Sequence, residues 1–152
     1  MVQPKIDIES PQQDDLKALF TELKTSLTRM SSSDMIDYQL TVDVSAVGAT
    51  SFVARVDGKP VATGALVRHT GSVAEAKRLF TEPAFRKHGI GRAILRHISS
   101  LAKSEGFKEL YIVTDAELKE SIAFCEHAGF ERTETFLNHK PSKQSVFFRK
   151  AL

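Results

Sequence analysis

The stretch "RLFTEPAFRKHGIGRAIL", residues 78–95, decides how the rest of the chain is read. It opens as the end of a strand, meets Pro83, crosses a basic loop holding Gly89 and Gly91, and turns at once into an amphipathic segment. Proline donates no ladder hydrogen bond, so Pro83 ends the strand. Strand, basic loop and helix in this order make an anion site. The first turn of a helix leaves backbone N–H groups without partners, and the helix dipole adds partial positive charge there. Glycines let a phosphate approach those amides with no Cβ in the way. Arg86, Lys87 and Arg92 add full charges, and the Arg86 guanidinium can present a bidentate fork to phosphate oxygens. Two glycines separated by one residue also begin many helices for backbone reasons alone, so the spacing by itself leaves both readings open. No GxxxxGK[ST] pattern occurs, and the dinucleotide fingerprint fails because Ile94 stands at its third glycine position.

Downstream, Ile90, Ile94, Leu95, Ile98, Leu101 and Ala102 share one helical face, opposite Arg92, Arg96 and Lys103, and Gly106 supplies the stop. Residues 109–114 form a short, nearly continuous apolar run, as in a strand buried on both faces. A helix over 118–128 follows, with Gly129 after it, and 130–136 with 145–149 read as a closing antiparallel pair. Upstream, strands over 51–56 and 61–67 flank Asp57-Gly58, a hairpin turn, with Pro60 confined to its edge. The next strand spans 74–81. Near the N-terminus, Leu16, Leu19, Phe20, Leu23 and Leu27 mark a helix that a capping box of Ser10 and Gln13 is expected to start. A second short helix over 34–40 has a weaker pattern. Strand-helix-strand connections in the second half imply a parallel pair through a right-handed crossover. Hairpins on either side make the sheet mixed and mostly antiparallel, so the fold class is α/β (α+β), a single domain over 1–152 with helices flanking one sheet.

With 152 residues, 41% hydrophobic and 26% charged, the chain can bury a core without disulfides or a structural metal. Cys125 is the sole cysteine, as expected in a reducing compartment, and no apolar run reaches the roughly 18 residues of a membrane span. A cytoplasmic location with no membrane partner is the expectation. Residues 1–45 hold four Lys/Arg against eight Asp/Glu, whereas from Lys77 to Lys103 seven basic residues face only Glu82. Such a stretch suits a polyanionic ligand or serves as a solvated helix face. A nucleic acid is a poor fit, because the basic helix lacks interleaved aromatics on its polar face.

The segment "RKHGIG" matches [Q/R]-x-x-G-x-[G/A], the pyrophosphate motif of the GNAT acetyltransferases, with Arg86, Gly89 and Gly91 in its fixed places. "RLFTEP" resembles that family's fourth strand, "AFCEHAGF" (123–130) its later helix-to-strand segment, and "AEAKR" from Ala74 and "SVFF" from Ser145 resemble small stand-alone members. The resemblance spans about residues 51–152. It implies acetyl-coenzyme A as co-substrate, with no metal. Its pyrophosphate would lie on the amides of Arg86, Lys87, His88, Gly89, Ile90, Gly91 and Arg92, and its pantetheine along the backbone of Leu79, Phe80 and Thr81. The family fold also implies that the fourth and fifth strands, 74–81 and 109–114, splay apart to admit the cofactor from one side and the amine from the other. The implied activity is acetyl transfer to a primary amine of a small molecule, amino acid or protein. The alternative is a catalytically silent coenzyme A-binding or sensor domain.

Amine acetylation needs a neutral nucleophile, and a lysine-like amine is less than about one part in a thousand neutral at pH 7. A base is therefore expected, with a backbone N–H for the oxyanion and an acid for the thiolate. By resemblance, the oxyanion donor lies near Leu79 or Phe80. The base is Glu75, at the start of the fourth strand; the other reading makes Glu75 an edge-strand carboxylate paired with Lys77 or Arg68. His69 and Tyr38 are weaker candidates on the acceptor side. Cys125 stands where many members carry a tyrosine acid, and Leu118 where a polar residue is frequent. Either Cys125 is that acid, or it is a core residue and solvent or Tyr111 supplies the proton. The acceptor-side loop is expected over 137–144. The sequence leaves the oligomeric state open, with a homodimer through the C-terminal strand as one option.

Overall fold

A computed structural model describes residues 3–30, 48–69, 71–134 and 144–152. Its strands are β1 (Lys5–Ile8), β2 (Ala49–Val56), β3 (Lys59–Arg68), β4 (Val73–Thr81), β5 (Glu109–Asp115), β6 (Glu131–Thr133) and β7 (Ser145–Ala151). The helices are α1 (Lys17–Met30), α2 (Ile90–Ser104) and α3 (Lys119–His127). Tyr38, the side chain of Leu27, the short helix over 34–40 and most of the loop over 137–144 lie outside the described residues.

Among the described residues the seven strands form one sheet in the order β1-β2-β3-β4-β5-β7-β6, and only β4 and β5 pair in parallel. The β2–β3 hairpin turns at Asp57 and Gly58, both at positive φ (51° and 82°), the backbone that a two-residue turn matching strand twist requires. Pro60 sits beside a register shift, where its missing N–H breaks no regular ladder bond. The C-terminal strand is interior: β7 pairs with β5 along its whole length and with β6 on its other edge. A dimer formed through an edge of β7 would have to displace one of them.

Strand alternation divides the sheet into two faces. Ala62, Leu66, Ala74, Ala76, Leu110, Ile112, Val146 and Phe148 pack with Ile90, Ile94, Leu95 and Ile98 of α2 in the main core. On the other face Leu19 and Leu23 of α1 pack with Phe80, and Val113 packs with Phe147. At about 25 cal/mol per Å² of apolar surface, this burial on both faces is what places the helices.

The start of α1 departs from the sequence-based expectation. Residues 11–12 form a turn, a single 3-10 turn spans Asp14–Leu16, and the α-helix begins only at Lys17. Ser10 Oγ accepts the Gln12 N–H at 3.2 Å, while Gln13 Nε2 donates to Ser10 O and to Glu9 Oε1. The capping box therefore does not form. The cause is tertiary: Arg55 of β2 binds Glu9 and Asp15 at 2.9 and 2.7 Å, and this clamp sets the chain's path before the helix.

Candidate active site

The pairing of β4 with β5 covers only Val73↔Glu109, Ala74↔Leu110 and Glu75↔Tyr111. Beyond Glu75, β4 runs on to Thr81 and β5 to Asp115 without pairing with each other. The splay implied by the family resemblance is thus present. Along the residues that precede the basic loop, β4 and β5 do not pair with each other.

Within the splay β4 carries a bulge. Thr63 pairs with Phe80 and Ala65 with Lys77, so Gly64 alone faces both Arg78 and Leu79. Arg78 adopts φ 51°, unusual for a residue with a side chain. The extra residue rephases the strand. Lys77 lies on the face opposite α2, Leu79 packs toward α2, and Phe80 returns to the face of α1. Gly64 accommodates the bulge because a Cβ there would stand 2.7 Å from Ile94 Cγ2 and 2.8 Å from Leu79 Cδ2. The bulged residue is held from β3, where Thr63 Oγ1 donates to Arg78 O at 3.3 Å.

The basic loop leads from this strand into α2. Arg86 Nε donates to Thr81 O at 2.9 Å, and its guanidinium lies 5.5 Å from the centre of the Phe80 ring. One of its N–H groups is thus already used to brace the loop against the end of β4. Lys87 and Gly89 both take positive φ, 66° and 80°. Gly89 is the N-cap of α2, with no side-chain cap and no acidic residue in the first turn. Arg86, Lys87, His88 and Arg92 are exposed around it, whereas Ile90 is buried and ties the turn to the core. At Gly91 an added Cβ would lie 3.5 Å from Thr81 Oγ1 and 3.5 Å from the Phe124 ring. Gly91 therefore brings the start of α2 close to the end of β4 and to α3. An uncapped, acid-free helix start with exposed cations around it suits a pyrophosphate.

Lys77 and Arg78 do not belong to this patch, although the sequence runs them together with it. Lys77 is 2% exposed on the opposite face of the sheet, where burial pushes its ammonium down to about 8 against the favourable charge of Glu75. Glu75 is 1% exposed and sits on a central strand, not an edge. Its Oε1 is 2.9 Å from His69 Nε2, and Arg68 instead binds Glu105 at 2.7 Å. The structure thus brings together two residues weighed separately in the sequence, Glu75 and His69.

Cys125 is 1% exposed within the main core, and burial pushes its thiol up to about 12. The ring of its neighbour Phe124 lies beside Gly91. Leu118 is the N-cap of α3 and makes no side-chain cap. The Tyr111 hydroxyl donates to Glu109 Oε2 at 3.3 Å, at the paired end of β5, and burial followed by the Glu109 charge raises its pKa. At the open end, Thr114 Oγ1 donates to Ser121 Oγ at 3.0 Å, tying β5 to α3. Phe124, the Thr114–Ser121 link and the bulge at Arg78 escaped the sequence reading, because no local pattern marks a contact between separate elements. Among the described residues no group of three or more His, Cys, Asp or Glu could hold a metal ion, and no helix is long and apolar enough to cross a membrane.

Residues 15–130 match the model of the acetyltransferase (GNAT) family. The chain is 31% identical over 148 residues to an IAA acetyltransferase of Azospirillum brasilense, with 95% of each chain covered. Its fold superposes with a TM-score of 0.80 on a Klebsiella pneumoniae protein described as a candidate acyl-CoA N-acyltransferase, at 23% identity over 99% of this chain and 98% of that one. It superposes with a TM-score of 0.76 on the PaiA N-acetyltransferase of Thermoplasma acidophilum, solved in complex with coenzyme A, at 16% identity over 99% of each. By the match of its sequence, over residues 15–130 to the family model and along nearly its whole length to a relative, the chain belongs to the GNAT acetyltransferase family.

Proposed function

We propose that the protein transfers the acetyl group of acetyl-coenzyme A to a primary amine, with Glu75 as general base. The observation that carries this reading is the position of the splay: it separates an uncapped, cationic helix start at Gly89 from a buried carboxylate on the opposite face of β4. Arg86, Lys87, His88, Arg92 and the amides from Gly89 to Arg92 hold the pyrophosphate, and the backbone at Leu79, Phe80 and Thr81 receives the pantetheine. Coenzyme A supplies an activated thioester. Glu75 takes the amine's proton, and a backbone N–H near Leu79 or Phe80 stabilises the oxyanion. The match to a named acetyltransferase along nearly all of both chains supports turnover over silent coenzyme A binding. In this reading the reaction takes place in the cytoplasm.

Water protonates the departing thiolate. The Cys125 thiol, raised to about 12, is a poor donor, and the Tyr111 hydroxyl points to Glu109. A free thiol has a pKa of about 8.5, so the thiolate leaves without a dedicated acid. Cys125→Ala is accordingly expected to cost about 1–2 kcal/mol of stability, as small core truncations do. Its turnover should change less than about tenfold, short of the loss seen when a required acid is removed. Urea unfolding and thiol-release kinetics on the same variant check both; a well-folded variant with a hundredfold lower turnover makes Cys125 the acid.

The test of the function is free-thiol release from acetyl-coenzyme A in the presence of spermidine, tyramine, methionine and a short peptide with a free N-terminus. Thiol release dependent on at least one amine, with the acetylated product seen by mass spectrometry, is the expected result. Tight coenzyme A binding with no release on a wider amine panel would overturn it.

A further inference from the structure

The fate of the proton is set by the burial of Glu75. Acetylation of an ammonium removes two N–H protons; one makes good the proton that water gives to the thiolate of coenzyme A, and the other is released to bulk water. At 1% exposure Glu75 has almost no contact with solvent of its own. Its carboxylate oxygen Oε1 is 2.9 Å from Nε2 of His69, whose side chain is 28% exposed. His69 follows the last residue of β3 and is held in place by its backbone N–H, which donates to Val73 O at 3.1 Å.

We propose that His69 is the proton outlet of Glu75: it takes the proton that Glu75 has accepted and releases one to water, resetting the base for the next turnover. The inference rests on the reading of Glu75 as base. The step is balanced. The acceptor ammonium gives a proton to the Glu75 carboxylate, the resulting carboxylic acid gives one to Nε2 of the neutral His69 tautomer that carries its proton on Nδ1, the imidazolium loses its Nδ1 proton to water, and rotation of the partly exposed ring presents the free nitrogen to Glu75 again. Histidine suits this task because a small change of environment carries it across neutral pH.

The charged and titratable groups around the pair come from each neighbouring strand. Lys77 follows on β4 and its ammonium feels the charge of Glu75, while Tyr111 lies opposite Glu75 in the register of β5. Arg149 of β7 binds Glu109 of β5 at 2.9 Å, and Arg68 of β3 is held by Glu105. From α1 the described buried contacts on this face are apolar, Leu19 and Leu23. Among these groups His69 is the one that contacts the Glu75 carboxylate directly and also reaches solvent.

The test compares His69→Gln, which can keep a hydrogen bond to Glu75 but cannot carry a proton, with His69→Ala. Both are measured by thiol release with the amine that the wild type acetylates best, alongside acetyl-coenzyme A affinity by calorimetry. At pH 7 kcat should fall about tenfold or more in both variants, with affinity unchanged. Added imidazole should restore kcat in His69→Ala but not in His69→Gln, whose side chain fills the site. A His69→Gln enzyme with wild-type kcat and an unchanged pH profile overturns the proposal, and so does a loss in His69→Ala that imidazole leaves unrestored. If Glu75→Gln also keeps full turnover, the base assignment fails as well; if Glu75→Gln is impaired while His69→Gln is not, only the outlet is lost.

Discussion

Glu75→Gln is expected to lower turnover by about 10²-fold or more at pH 7, the usual scale for removing a general base. The substitution is close to isosteric, which matters at a position 1% exposed on a central strand. Acetyl-coenzyme A affinity should stay near that of the wild type, because Glu75 lies in the paired part of β4 and the cofactor elements lie at its far end. Without the base, reaction depends on the fraction of acceptor already neutral in solution. For an amine of pKa near 10 that fraction is less than about one in a thousand at pH 7 and rises tenfold with each pH unit. The defect should therefore shrink steadily toward high pH. Thiol-release rates at saturating acetyl-coenzyme A between neutral and alkaline pH check this. A variant that loses cofactor affinity but keeps the wild-type pH profile would make Glu75 a structural residue.

The second large effect is expected at Gly91. An added Cβ there lies in ordinary contact with Thr81 Oγ1 and the Phe124 ring, both at 3.5 Å, so alanine fits without displacing either. Valine carries two further methyl groups into the same space. Overpacking of this kind costs about 1–3 kcal/mol. If the cofactor approaches Gly91, the cost appears as a dissociation constant raised about tenfold to a hundredfold, since each 1.4 kcal/mol is a factor of ten. Acetyl-coenzyme A at a hundredfold excess over its dissociation constant should stabilise the wild type by about 2.7 kcal/mol. Gly91→Ala should keep most of that stabilisation and Gly91→Val should lose about half of it or more. Calorimetric affinities and melting temperatures on the three proteins give the answer, and a folded Gly91→Val protein with wild-type affinity would move the site elsewhere.

The sequence alone determined the elements whose cause is local. Asp57-Gly58 specified a two-residue turn through backbone conformation, Pro83 ended β4, and the six apolar positions from Ile90 to Ala102 specified α2. The motif from Arg86 to Gly91 pointed to the family through its spacing. What the sequence could not supply was cooperation between elements distant in the chain. Arg55, Glu9 and Asp15 meet across the sheet and delay the start of α1, overriding a capping signal worth about 1 kcal/mol. Lys77 and Arg78 adjoin the basic loop in sequence, yet Lys77 is buried on the other face, because side-chain direction in a strand changes at every residue. The bulge at Arg78 reverses that alternation and returns Phe80 to the face of α1, and it is tolerated because Gly64, fourteen residues earlier, has no side chain to meet Ile94 and Leu79. The contact between His69 and Glu75 likewise depends on how β3 and β4 pair around their turn. Turn conformation and periodicity act over a few neighbouring residues and can be read from the chain in order, whereas strand register and charge pairing are energies of the assembled sheet and exist only once its strands have met.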